Sequence, residues 1–218
     1  PSEEVGLRLS QKGVDDKKIR PFGIPHDPKF AQLVVREEVF KKLNLNPVIP
    51  TILVMGGGQG LGPIKTIVGS LEKVNGEIQE IVITGNNAKL YNSLSRTIKK
   101  FRKKIVLFGY ANNIHELMEI SRLVITKPGG ITTAEALAKN LPMLIIEPIP
   151  GQEANNTLYL TQNGAAIHVD NMKKINIIVE DLLAHPQKID ALRQSVGLIR
   201  KPNASMDIAK LLLSSSNG

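Results

Sequence analysis

The sequence predicts an α/β fold in which a Rossmann-like parallel sheet has helices on both faces. From Pro50 onward, short apolar runs rich in β-branched residues alternate with amphipathic stretches of helical period. The apolar runs contain few polar residues, as is typical of strands that are buried on both faces. Two of them lead through glycine-rich turns directly into helices. Because ligands bind at the carboxyl ends of the strands in such sheets, we expect the functional site there.

Strands and helices alternate along the chain in the predicted order. The predicted strands are 52–55, 81–84, 105–108, 123–126, 143–146 and 165–169. Helical periodicity predicts helices at 63–75, 87–101, 131–140, 154–163, 173–184, 187–199 and 204–214. A short helix is also expected around His115, and the polar end after residue 214 is expected to fray.

The first 48 residues differ in character from the rest. A short helical pattern comes first, residues 20–28 are rich in proline, and a charged helix is predicted over 29–43. The chain starts at Pro1 rather than at a methionine, so we expect it to be a piece of a longer protein. We therefore assign residues 1–48 to the remnant of a preceding N-terminal domain plus a linker, and residues 49–218 to the domain itself.

Composition excludes some functions and favours others. The chain has 218 residues, of which 42% are hydrophobic, and this is enough for a normal core. The absence of cysteine excludes disulfides, thiolate catalysis and cysteine-based zinc sites. No apolar run approaches the ~20 residues that span a bilayer. The net charge of +8 attracts anions, but aromatic residues are only 4%, so an anionic membrane surface is the expected partner and nucleic acid is not.

The segment from Met55 to Pro63 contains five glycines between a strand and a helix. Glycines let the backbone pass close to an anion, and a helix start supplies free N–H donors, so the turn favours a phosphorylated ligand. A P-loop would need Lys and then Ser or Thr where this chain has Pro63 and Ile64. The dinucleotide fingerprint fails because Leu61 takes its third glycine position. A turn that only packs a helix onto the sheet is the alternative.

Two further clusters follow later strands. Residues 127–135 repeat the strand, glycine turn and helix start, with Glu135 one turn into the helix. A carboxylate there can accept hydrogen bonds from a sugar diol or simply favour the helix dipole. Residues 147–156 set Gln152 beside Glu153 at another helix start, which suits hexose hydroxyls or ordinary capping. Three such turns at one edge of a sheet can line a single cleft.

In these three motifs the sequence resembles the C-terminal, donor-binding half of GT-B glycosyltransferases. The group concerned joins the bacterial N-acetylglucosaminyltransferase of peptidoglycan synthesis to the monogalactosyl- and processive glucosyl-diacylglycerol synthases. The motifs at 55–64 and 150–153 look most like the diacylglycerol branch, as does Gly58, where the peptidoglycan enzyme has a serine. The likeness runs from about residue 19 to residue 170. It implies that the sheet is the C-terminal half of a GT-B fold.

The resemblance implies that these motifs and one further loop bind a UDP-sugar. The diphosphate and the acceptor would face Gly57, Gly58, Gln59 and Gly60. Uracil would be held by backbone at Tyr110 and Ala111. The phosphates would also be flanked by Lys127, Gly130, Ile131 and Thr132. The ribose hydroxyls would bind Glu135, and the hexose would be held by Gln152 and Glu153.

The implied reaction transfers a hexose from a UDP-sugar to a lipid acceptor such as diacylglycerol, without a cofactor. None of the four histidines has a partner at metal-ligand spacing, so no metal site is predicted. The resemblance places the catalytic base, the acceptor site and the membrane-insertion surface in an N-terminal domain that this chain largely lacks. We therefore expect the chain alone to be inactive, and the complete protein to be cytoplasmic and peripherally attached to the cytoplasmic membrane face.

Three other functions stay open. The chain could be the donor-binding subunit of a two-chain N-acetylglucosaminyltransferase whose membrane partner supplies the other half. It could belong to a UDP-sugar 2-epimerase of the same general fold. An α/β module without a ligand is the third alternative, which three glycine-containing turns make unattractive.

Overall fold

The computed structural model describes residues 2–215 and is built around a six-stranded parallel sheet. The strands are β1 Thr51–Met55, β2 Gln79–Ile83, β3 Lys104–Phe108, β4 Leu123–Thr126, β5 Met143–Ile146 and β6 Ala166–Val169. Their order across the sheet is β3-β2-β1-β4-β5-β6, and every neighbouring pair is parallel. The six predicted strands are confirmed. They could be predicted because an apolar run buried on both faces is a strong local signal.

Helices connect the strands and follow the last one. They are α1 Glu3–Gln11, α2 Arg36–Lys42, α3 Ile64–Leu71, α4 Ala88–Thr97, α5 Ile114–Ile120, α6 Gly130–Ala138, α7 Gln152–Gln162, α8 Ile175–Ala184, α9 Pro186–Ile199 and α10 Ala204–Ser215. Within residues 2–215, none of them is long and apolar enough to cross a membrane. The polar end expected after residue 214 lies largely outside the described residues.

The sheet separates two hydrophobic clusters, so the prediction of helices on both faces is confirmed. Alternate residues of β1 point to opposite faces, with Leu53 in one cluster and Ile52 in the other. Helices α2, α5, α6 and α7 cover the first face, and α3, α4 and α8 cover the second. Helix α9 contributes Val196 to the first cluster and Ile189 to the second.

The predicted helix over 29–43 is wrong in its first half. Only one 3₁₀ turn forms, at Pro28–Ala31, residues 32–35 are not helical, and α2 begins at Arg36. Two consecutive valines in the non-helical segment would lose side-chain rotamers in a helix, and this disfavours continuing the turn. The buried Phe30 packs in the first cluster, so tertiary burial fixes this segment more than helix propensity does.

The first 48 residues pack closely on the rest of the described chain. Val39, Phe40 and Leu45 are buried in the first cluster, where α2 lies against α5. The backbone N–H of His26 donates to the hydroxyl of Ser205 in α10 at 2.9 Å. The proline-rich segment is thereby held against the end of the chain, and the boundary at residue 48 stays a prediction.

Glu80 is a buried carboxyl group in the middle of the sheet. It is fully buried on β2 beside Ile52 and Ile105, and neither of its oxygens has a hydrogen-bond partner within residues 2–215. Burial raises the pKa of Glu80 to about 8; the charge of Glu72 adds to the rise and Lys103 opposes it. The folded protein therefore holds this carboxyl in its neutral form at neutral pH.

We predict that this carboxyl makes the protein less stable as the pH rises. The unfolded carboxyl ionises near 4.5 whereas the folded one keeps its proton until about pH 8, so unfolding releases a proton between these values. The free energy of unfolding then falls by about 1.4 kcal/mol per pH unit in this window. In urea unfolding between pH 5 and 8, the free energy of unfolding of the wild type should fall more steeply than that of Glu80→Gln by this amount per pH unit. The part of the pH dependence that comes from another raised pKa, that of Glu135, should remain in the variant.

Glu37→Gln is the matched control, because it changes an exposed carboxylate on α2. It should keep the wild-type pH dependence. Parallel profiles for Glu80→Gln and the wild type would contradict the assignment of the slope to Glu80.

Candidate functional site

The turns at 56–62, 127–132 and 147–151 lie side by side at one edge of the sheet. They follow β1, β4 and β5, which are neighbours and parallel, so their carboxyl ends share that edge. A Cβ atom placed on Gly62 would lie 3.6 Å from Cε of Lys127 and 3.8 Å from Cδ1 of Ile146. The first turn is thus in reach of the other two, as the single predicted cleft requires.

The second and third turns are also joined to each other. The side-chain amide of Asn156 on α7 donates to the carbonyl of Pro128 at 2.8 Å. A Cβ on Gly130 would stand 3.2 Å from Nε2 of Gln152. The start of α7 is therefore fixed against the start of α6, and Gln152 faces the second turn.

The glycine turn after β1 has a shape that side chains would prevent. Gly60 has φ +58°, and a Cβ there would meet the carbonyl oxygen of Thr84 at 1.9 Å. At Gly56 a Cβ would meet the carbonyl oxygen of Leu61 at 2.1 Å. A Cβ at Gly58, in contrast, would have no described atom within 4 Å. Gly56 and Gly60 are required for the fold of the turn, whereas Gly58 leaves its backbone open to a ligand.

Three helices begin at this edge with free backbone donors. The residues before α3, α6 and α7 are Pro63, Gly129 and Gly151, and in the described chain no side chain caps these three starts. The first N–H groups of a helix lack intrahelical acceptors and carry the positive end of its dipole. Three such starts at one edge of the sheet favour an anion such as a diphosphate there.

Glu135 is the acidic residue of α6, the second of these helices. It is partly buried, and burial raises its pKa to about 7, with a further contribution from the nearby charge of Asp27. No hydrogen bond of its side chain is present within residues 2–215. A half-buried carboxylate with free acceptor positions can bind a vicinal diol, as expected for ribose.

Tyr110 and Ala111, the predicted uracil-binding residues, are connected to the three turns only indirectly. Tyr110 and Ala111 follow β3, two strands from β1, and the side chain of Tyr110 is 64% exposed. Their connection to the first turn is indirect: the N–H of Gly85 donates to the carbonyl of Gly109 at 3.0 Å, and Gly85 packs on the carbonyl of Gly58. The predicted uracil loop therefore lies at the same edge of the sheet as the three turns, and its role stays a prediction.

Glu153 has a structural partner. One of its carboxylate oxygens accepts the N–H of Ile149 at 2.9 Å and so closes the third turn. Its second oxygen has no hydrogen bond within the described chain, so it is available to a ligand. The role of Glu153 in holding a hexose stays a prediction. In residues 2–215 no group of three or more His, Asp or Glu side chains is arranged to hold a metal ion.

Two contributions to the site were missed in the sequence. The loop after β2 supports the glycine turn, since the N–H of Asn86 donates to Gly58 at 2.9 Å and the amide of Asn87 donates to Gly60 at 3.3 Å. The sequence signal that could have indicated this loop is a glycine followed by two asparagines directly after a strand. The proline-rich segment also reaches the site, with Cδ1 of Ile24 3.5 Å from a Cβ on Gly130. No local pattern indicates this second contact.

The fold and the three turns agree with a family comparison. The model of the glycosyltransferase family 28 C-terminal domain matches residues 51–210. The chain belongs to glycosyltransferase family 28. Family 28 membership confirms the resemblance noted in the sequence, and with it the interpretation of the sheet as the C-terminal half of a GT-B fold.

Curated relatives of this family 28 chain are longer than the chain itself. It is 35% identical to monogalactosyldiacylglycerol synthase 2, chloroplastic, of Arabidopsis thaliana, an alignment that covers 96% of this chain and 46% of that protein. It is 32% identical to the processive diacylglycerol beta-glucosyltransferase of Bacillus subtilis (strain 168), covering 99% of this chain and 56% of that protein. The chain thus spans about half the length of these relatives.

A solved structure shares the fold at low sequence identity. The putative UDP-N-acetylglucosamine 2-epimerase from Listeria monocytogenes superposes with a TM-score of 0.72 at 17% identity, over all of this chain and 59% of that one. This likeness shows the fold alone.

Proposed function

We propose that this chain is the donor-binding domain of a hexosyltransferase that transfers a sugar from a UDP-hexose to diacylglycerol. The observation that carries the proposal is that three helices with uncapped starts begin at one edge of the sheet, and that the second of them, α6, carries the partly buried Glu135. The named activities of the two curated relatives support the diacylglycerol acceptor.

In this proposal the turns hold the leaving group. As the glycosidic bond breaks, the diphosphate gains negative charge, and oriented N–H groups together with Lys127 stabilise that charge. Loss of one such donor costs about 3 kcal/mol in enzymes that use them. Glu135 accepts the ribose hydroxyls, while Gln152 and Glu153 contact the hexose. The general base and the acceptor site belong to the part of the complete protein outside this chain.

The location of the reaction is part of the proposal. A diacylglycerol acceptor resides in a membrane, and the net charge of +8 favours attachment to an anionic surface. We propose that the complete protein is peripherally attached to the cytoplasmic membrane face and works there.

Titration calorimetry with this chain tests the donor part of the proposal. We expect UDP, UDP-glucose and UDP-galactose to bind at micromolar to millimolar concentrations and ADP to bind more weakly. Absence of UDP binding at millimolar nucleotide would overturn it. Incubation of the complete protein with UDP-hexose and diacylglycerol tests the reaction; an epimerised UDP-sugar in place of a glycolipid would identify the 2-epimerase alternative.

The affinity for UDP-glucose should depend on pH through Glu135. The ionised carboxylate is the better acceptor for ribose hydroxyls, and the raised pKa of about 7 keeps part of the population protonated at neutral pH. Binding therefore releases protons, and the dissociation constant should rise about tenfold from pH 8 to pH 6. UDP-glucose is the suitable probe because both of its phosphates are esterified and do not titrate in this range.

Glu135→Gln provides the control for this pH profile. Its affinity should be weaker than that of the wild type at pH 8 and nearly constant between pH 6 and 8. An unchanged slope in this variant would assign the titration to another group.

A further inference from the structure

An arginine-lined cavity lies at the opposite edge of the sheet from the three turns. Its volume is about 590 Å³, and its walls include Thr51, Arg122 and Leu141, which stand at or just before the starts of β1, β4 and β5. Since the strands are parallel, this is the edge at which they begin. The cavity is therefore separate from the candidate nucleotide site.

The charge in this cavity is unbalanced. Four positive side chains and one negative one line it, namely Arg36, Arg122, Lys139, Arg193 and Glu119. The carboxylate of Glu119 lies 3.0 Å from Nζ of Lys139 and 3.9 Å from the guanidinium of Arg36, so it is already shared between two cations. Within residues 2–215, Arg122 and Arg193 have no carboxylate at ion-pair distance.

The guanidinium groups are close enough to repel each other. Arg193 is partly buried, and its Nη2 donates to the backbone carbonyl of Arg122 at 3.4 Å. Burial lowers the pKa of Arg193, and the charges of Arg122 and Arg36 lower it further, while Asp190 opposes them. An anion in the cavity would relieve this repulsion.

A run of basic residues at the same edge also favours an anion. Residues 99–104 add five basic side chains around the start of β3. Basic side chains of this kind attract anions from solution.

We propose that the cavity binds a phosphate group, held by Arg36, Arg122 and Arg193. Planar guanidinium forks match the oxygens of phosphate and can each form two charge-assisted hydrogen bonds. The phosphate belongs either to a small soluble ion or to the headgroup of an anionic lipid. Both sources present the same chemistry to the arginines, and the experiment distinguishes them.

Titration of the chain with inorganic phosphate in the presence of saturating UDP tests the soluble source. We expect saturable binding by the wild type and a weakening of about tenfold or more in Arg193→Gln, because charge-assisted hydrogen bonds are lost. The matched control is Arg200→Gln, which removes the same charge just after α9 at an exposed position outside the cavity. It should bind phosphate like the wild type.

Co-sedimentation with phosphatidylcholine vesicles, with and without phosphatidic acid, tests the lipid source. Binding only to phosphatidic acid vesicles, lost in Arg193→Gln and kept in Arg200→Gln, assigns the cavity to a lipid headgroup. If Arg193→Gln does not fold, Arg36→Gln replaces it, since that side chain is 48% exposed.

The proposal is overturned if neither probe binds the wild type, or if Arg193→Gln and Arg200→Gln weaken binding equally. Failure of UDP to bind would affect the proposed function alone, because the comparison of the two arginine variants does not depend on the nucleotide.

Discussion

Replacing Glu135 by alanine is expected to weaken UDP binding by roughly tenfold to a hundredfold. The carboxylate is the one acidic group on α6 beside the free N–H donors of the cleft, and we expect it to accept hydrogen bonds from the ribose hydroxyls. Hydrogen bonds to a charged group contribute about 1.5 to 3 kcal/mol, which corresponds to this range of dissociation constants. Titration calorimetry at pH 8, where the carboxylate is largely ionised, measures the effect.

A comparison of UDP with 2′-deoxy-UDP makes this test specific. If Glu135 binds the ribose diol, Glu135→Ala should lose less affinity for 2′-deoxy-UDP than for UDP, because one of the two hydroxyl partners is already absent. Glu37→Ala, which removes an exposed carboxylate from α2, should bind both nucleotides like the wild type. Equal losses for the two nucleotides would mean that Glu135 acts through folding or general electrostatics.

Gly60→Ala is expected to destabilise the protein by about 3 kcal/mol and to remove measurable UDP binding. The added Cβ would stand 1.9 Å from a backbone oxygen of Thr84, at a backbone φ of +58° that side chains disfavour. Both the overlap and the left-handed conformation have a cost. Thr84 follows β2 directly and its N–H donates to the carbonyl of Phe108 in β3, so its backbone cannot move away without disturbing the end of the sheet. Urea unfolding and UDP titration measure the two effects.

Two other glycines give matched controls. Gly69→Ala lies inside α3 with open space around its Cβ and should stabilise the protein by up to about 1 kcal/mol. Gly58→Ala also has open space, so its stability should match that of the wild type. If the diphosphate approaches this turn, however, Gly58→Ala should bind UDP more weakly, since the methyl group occupies the approach. Stable folding with unchanged UDP affinity in Gly60→Ala would contradict the role assigned to the turn.

Local patterns predicted the sheet and the three turns well. Fully buried strands such as β1 have an unmistakable apolar signature, and glycine turns that precede helices can be located by residue type alone. The alternation of strands and helices predicts a parallel sheet but not which strands are neighbours in it. The contact between Gly62 and Lys127 was therefore visible only in the structure.

Features made by distant segments were not predictable. Ile24 reaches Gly130 because the proline-rich segment is tied to α10 by Ser205, which is far away in sequence. The non-helical stretch before α2 likewise depends on the burial of Phe30 in the first cluster, in addition to the low helix propensity of its two valines. Such placements depend on how elements pack, and single-residue patterns carry no information about that packing.

The arginine cavity was likewise not predictable from local sequence patterns. Only the net charge of +8 was used in the sequence analysis, yet the cavity is built from single arginines at 36, 122 and 193. Each is unremarkable in its own segment, and only the parallel topology brings them to one edge of the sheet.

A crystal structure of this chain with UDP tests the central claim most directly. We predict that the diphosphate lies between the turns at 56–62 and 127–132, with the ribose hydroxyls within hydrogen-bond distance of Glu135. Nucleotide bound at any other edge of the sheet, or bound in the cleft with the ribose remote from Glu135, would contradict the account.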